Sequence, residues 1–154
     1  MAGSGWLTVL VVPLVIASCG APSEPHSGIG VGSEDGSSRV GVSYLPCAGE
    51  RVTSVELTTN PASGSGRTIW RISSGPTAGV ADQFILGEAP PGWLASVPMK
   101  ELPSKSEKLA VYVETTKRSP GGISFSLGDL IPGAIMSDDG LVSRSTFVGY
   151  QDYC

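Results

Sequence analysis

Glycine and proline constrain this chain more tightly than any other residues. Of its 154 residues, 21 are Gly and 12 are Pro. Beyond residue 39 they recur as turn signals: Asn60-Pro61, Ser63-Gly64-Ser65-Gly66, Gly75-Pro76, Pro90-Pro91-Gly92, Pro120-Gly121-Gly122, Ile131-Pro132-Gly133 and Asp138-Asp139-Gly140. Each supplies the fixed or positive φ that a tight turn requires. Relative to Ala, a helix interior loses about 1 kcal/mol at Gly and about 3 kcal/mol at Pro, so segments bounded this closely disfavour a helical bundle. Short strands fit between the turns.

The apolar pattern agrees. In Lys108-Leu109-Ala110-Val111-Tyr112-Val113-Glu114, Leu109, Val111 and Val113 share one face of an extended chain, opposite Lys108 and Glu114. In Arg67 to Ser73, Trp70 and Ile72 lie opposite Ile69 and Arg71. The same reading predicts strands at Val40–Leu45, Arg51–Leu57, Thr68–Ser73, Gln83–Leu86, Trp93–Val97, Leu109–Thr115, Ile123–Leu127 and Leu141–Phe147. About seven or eight short strands at this turn spacing predict an all-β fold, a single antiparallel β-sandwich of immunoglobulin- or fibronectin-like type over residues 39–154.

Ten Lys and Arg against fourteen Asp and Glu give a net charge of −4 and a pI near 4.9. That sign is wrong for a phosphate-backbone binder, so nucleic acid is not an expected partner.

Trp6 to Ala17 is an uncharged run of twelve residues. A spanning helix needs about 20 apolar residues, whereas the apolar region of an export signal needs roughly 7 to 15. The run ends in Ile16-Ala17-Ser18-Cys19, an aliphatic residue, two small residues and a cysteine. This resembles the lipobox of bacterial lipoproteins. The resemblance covers about the first twenty residues and implies a signal peptide over 1–18, cleavage before Cys19, and a diacylglyceryl group on the Cys19 thiol. It also implies a protein anchored by lipid to the extracytoplasmic face of the cell membrane. A plain secretory peptide cut after Cys19-Gly20-Ala21 is the competing expectation.

Gly20 to Ser38 is almost pure Gly, Ser, Pro and acid, with two aliphatics. By composition it cannot bury enough surface to order itself, so residues 19–38 are expected to form a lipidated tether with an r.m.s. span of about 25 Å. His26, the only histidine, falls there and is expected to be solvated. With Cys19 lipidated, Cys47 and Cys154 remain as an even pair outside the cytosol, most simply a disulfide closing a loop of about 108 residues. Two free thiols are the alternative.

With no histidine expected in the body, a Ser-His-acid triad, a Cys-His dyad and a His-rich zinc site are excluded. Asp129, Asp138 and Asp139 remain as a conceivable paired-carboxylate or calcium site, though Ser137-Asp138-Asp139-Gly140 also reads as a hairpin turn with solvated acids. Trp70 and Trp93, with Tyr44 and Tyr112, form either a saccharide-stacking platform if exposed or core if buried. No cofactor is expected. The sequence therefore predicts a non-enzymatic binding or envelope-organising module with a polysaccharide or envelope protein as partner. The alternative is a carboxylate- or calcium-dependent surface hydrolase.

Overall fold

The computed structural model describes residues 26–33, 39–60, 66–118 and 121–153. Among the described residues, ten strands form two antiparallel sheets packed face to face. They are β1 (Ile29–Ser33), β2 (Val40–Tyr44), β3 (Val52–Thr59), β4 (Thr68–Ser74), β5 (Gln83–Ile85), β6 (Trp93–Val97), β7 (Lys108–Thr115), β8 (Gly121–Ser126), β9 (Ala134–Ser137) and β10 (Gly140–Ser143). A short helix α1 (Arg144–Gly149) and a 3-10 turn (Tyr150–Tyr153) follow. The first sheet has the order β10-β9-β1-β2-β5 and the second β6-β4-β3-β7-β8. The chain is thus an all-β sandwich. β6 lies beside β4, and the β9–β10 hairpin beside β1.

The inward positions follow the alternation. Leu109, Val111 and Val113 of β7, Val55 and Leu57 of β3, and Trp70 and Ile72 of β4 are all buried. They meet Val31, Val42 and Phe84 of the first sheet in one core. Phe84 and Trp93 close it edge to face, their ring centroids 5.0 Å apart, a geometry that sets the positive rim of one ring against the negative face of the other.

Three expectations are corrected. The tether assigned to residues 19–38 does not extend through them, because Ile29 to Ser33 form a strand inside the first sheet, between β9 and β2. Its two aliphatics, Ile29 and Val31, alternate into the core. Its two glycines leave the outer face open to Ile135 of β9 and Phe147 of α1, which pack where side chains at Gly30 and Gly32 would stand. β9 was also not anticipated. The strand expected over Leu141–Phe147 stops at Ser143, whose hydroxyl accepts the Thr146 N–H at 3.0 Å and caps α1. This helix crosses the outer side of the first sheet and buries Phe147 against Gly30.

The signal segment 1–18, Cys19 and Cys154 lie outside the described residues.

Candidate functional site

Trp70 is fully buried and Trp93 is 7% exposed, so the two tryptophans belong to the core and form no stacking platform. The Trp93 indole N–H is buried without an acceptor among the described residues. Tyr44 is buried as well, whereas Tyr112 is 40% exposed on the outer face of the second sheet.

The three aspartates do not assemble a metal site. Asp129, in a 3-10 turn after β8, pairs with Lys108 Nζ at 3.4 Å. Asp138 and Asp139 occupy the β9–β10 turn and face His26 instead. Among the described residues, no group of three or more His, Cys, Asp or Glu side chains is arranged to hold a metal ion. The Ser137–Gly140 hairpin explains why: Ser137 Oγ accepts the Asp139 N–H at 3.2 Å and donates to Gly140 O at 3.2 Å. The two acidic side chains are left on one turn facing His26, while Asp129 is turned to Lys108.

Composition concealed an organised polar end. His26 lies at the start of the folded body rather than on a solvated tether, so the premise that excluded histidine chemistry does not hold. Its imidazole stacks flat on Tyr150, with centroids 4.1 Å apart and planes 6° from parallel. His26 Nδ1 lies 3.4 Å from Asp139 Oδ2 and 3.9 Å from Asp138 Oδ1. The Tyr150 hydroxyl donates to Asp139 Oδ2 at 2.7 Å, and the Ser27 N–H donates to Asp138 Oδ2 at 2.9 Å. The hydrogen bond to Asp139, then partial burial and the Asp139 charge, raise the Tyr150 phenol above its ordinary range. The Ser27 hydroxyl is turned to its own backbone, accepting the Ile29 N–H at 3.2 Å. The arrangement therefore fastens three chain segments together: the start of β1, the β9–β10 turn and the end of α1.

Next to it sits Glu50, whose side chain is fully buried. Its Oε1 accepts from Thr115 Oγ1 at 2.7 Å and lies 3.3 Å from Arg118 Nε, while its Oε2 accepts the Cys47 N–H at 2.9 Å. Burial by itself raises a carboxyl. Here the hydrogen bonds from Thr115, Cys47 and Tyr44, with the Arg118 charge, outweigh it and hold Glu50 below the ordinary glutamate value. Tyr44 is pushed up to about 12, first by burial and then by Glu50. Arg118 also reaches Cys47 Sγ through Nη2. A cleft of about 160 Å³ opens between His26, Ser27, Tyr44, Arg118 and Gly121. Because both Glu50 oxygens accept hydrogen bonds, this carboxylate acts as a structural acceptor that joins the Cys47 loop to the end of β7.

A signal for these residues existed only in part. Glu50 four residues before Ser54 and Thr115 at a strand end are unremarkable in sequence, and they meet because β3 pairs with β7. Comparison of the chain with protein-family models, with curated proteins and with solved structures finds no match.

Proposed function

We propose that this chain is a lipoprotein anchored through Cys19 to the extracytoplasmic face of a membrane. On this reading its sandwich is a non-enzymatic module that binds a component of the cell envelope. The sequence support is the uncharged run from Trp6 ending at Ile16-Ala17-Ser18-Cys19. No helix among the described residues is long and apolar enough to cross a membrane, and two acyl chains on one cysteine supply attachment at about 0.8 kcal/mol per buried methylene.

The observation that carries the reading is the lipobox-like run that ends at Cys19. On this reading the anchor sits close to the body, because His26 is clamped to the sandwich seven residues after Cys19, a stretch that spans at most about 25 Å in any conformation. The His26 end of the sandwich is therefore held toward the membrane, with the sheet faces and the opposite loops directed outward. Replacement Cys19→Ala is expected to abolish incorporation of labelled fatty acid and leave an uncleaved precursor. Wild-type protein recovered without lipid and in the soluble fraction overturns the proposal.

We further propose that Cys47 and Cys154 are bridged. The support is that Gln151 Nε2 approaches Pro46 O at 3.5 Å, which brings the last described turn beside the Cys47 loop. Peptide mapping without reduction is expected to recover the two cysteines in one linked species; alkylation of both in unreduced protein overturns it.

A further inference from the structure

The two outer sheet faces differ. On the first sheet, α1 lies across β1 and β9. On the second, the middle of the sheet forms an open trough of about 270 Å³ between Arg71 on one side and Tyr112 and Glu114 on the other, floored by Ser54, Glu56 and Thr58 of β3. The register produces this shape. Glu56 sits directly between Arg71 of β4 and Tyr112 of β7, and its neighbours on the same face of β3 are short. Glu56 is held down by hydrogen bonds from Thr68 Oγ1 and Arg71 Nη2. From Ser54 to Thr58 the floor runs about 14 Å at roughly 3.4 Å per residue.

Tyr112 is prearranged by a glycine. It pairs across the strands with Gly122 of β8, where an added Cβ would stand 2.5 Å from Cδ1 and 2.7 Å from Cε1 of the ring. The missing side chain lets the phenol lie down over β8 and remain partly open to solvent. The trough thus offers an aromatic face beside a carboxylate and a guanidinium whose positions are already fixed, and hydroxyls along its floor. Groups immobilised before binding lose little entropy when a ligand arrives.

From this we infer that the trough is a saccharide site, taking a short stretch of a neutral, polyhydroxylated chain laid along β3. Sugar C–H faces pack on an aromatic ring while paired hydroxyls bridge a carboxylate and a guanidinium. The trough presents no apolar pocket for a peptide side chain, and Glu56 with Glu114 against a single Arg71 disfavours an anionic polymer. The inference rests on reading the sandwich as a binding module and names its ligand class; it is independent of the anchor.

The test uses the full chain in a detergent without a sugar head group, titrated calorimetrically with three tetrasaccharides: β-1,4-linked glucose, β-1,4-linked N-acetylglucosamine and α-1,6-linked mannose. At least one is expected to bind with a Kd below about 1 mM. Tyr112→Ala and Glu56→Gln are expected to weaken it by roughly tenfold or more, and Tyr112→Phe by less than about threefold. Gly122→Ala, whose added Cβ would meet the Tyr112 ring and also stand 2.9 Å from the Val111 carbonyl oxygen, is expected to weaken binding and to lower the thermal midpoint with it. Failure of all three sugars to bind at about 10 mM, or binding that neither Tyr112→Ala nor Glu56→Gln changes, overturns the inference. Lipid labelling at Cys19 is unaffected by either result, so loss of the saccharide site and loss of the anchor read out separately.

Discussion

Glu50 and Tyr44 make the stability of this protein depend on pH at both extremes. The Glu50 carboxyl is held below its ordinary value of 4.5 in the folded state. The stabilisation it provides is complete above that value and is lost as pH falls through the lower, folded one. Tyr44 behaves in the opposite sense. Its folded value is about 12 against 10.0, so stability is retained below pH 10 and declines between pH 10 and 12 as the unfolded chain ionises first. Urea unfolding across pH is expected to show both flanks, with Glu50→Gln flattening the acid side and Tyr44→Phe the alkaline side. At neutral pH, Glu50→Gln is expected to cost about 1 to 3 kcal/mol, because Cys47 N–H, Thr115 and Arg118 lose a charged acceptor in a buried setting. Glu50 carries no sequence signal for this role, since its hydrogen bond from Thr115 joins positions 65 apart.

At the scale of elements, β1 shows how a weak composition can still specify a strand. Gly20 to Ser38 averages to a disordered tether, but the averaging hides the alternation Ile29-Gly30-Val31-Gly32, which needs only two inward aliphatics. The glycines admit cover from Ile135 and Phe147, and so bury the strand on both faces. Gly30→Ala is expected to destabilise by about 1 to 3 kcal/mol through overpacking, because its Cβ falls 2.5 Å from Ile135 Cγ2 and 2.7 Å from Phe147 Cζ. Gly79→Ala, whose Cβ meets nothing within 4 Å, is expected to stay within about 0.5 kcal/mol of wild type. Denaturant midpoints of the two variants check this directly. By contrast, β6 runs over Trp93–Val97 as read from sequence, because Pro90-Pro91-Gly92 marks its start. The apolar spacing of Leu141 to Phe147 is compatible with either strand or helix, and the Ser143 cap and the cover over Gly30 turn its second half, from Arg144, into α1.

For the whole molecule, the consequence of β1 is where the body sits. A tether running to residue 38 could have carried the sandwich as far as about 70 Å from Cys19, whereas a body that begins at His26 is held within about 25 Å. The start of β1 and the turn after α1 meet at one end, through His26 stacked on Tyr150. The proposed bridge from Cys47 to Cys154 closes that same end. Reduction is expected to lower unfolding free energy by about 2 to 4 kcal/mol, measured as a shift in the urea midpoint with and without reductant, and a midpoint that does not move counts against the bridge.

What the sequence determined by itself was the architecture. Turn signals and two-residue alternation are local, and they specified an antiparallel β-sandwich and, among the ten described strands, seven together with the start of β10. It also carried the motif at Cys19, which is read from neighbouring residues. Only the tertiary structure decided which polar residues meet. His26 joins Asp138 and Asp139, Glu50 joins Thr115 and Arg118, and Tyr112 lies over Gly122 beside Glu56. The reason is that each group is assembled across strands far apart in the chain, so register and sheet order, which no local pattern encodes, set the distances between them.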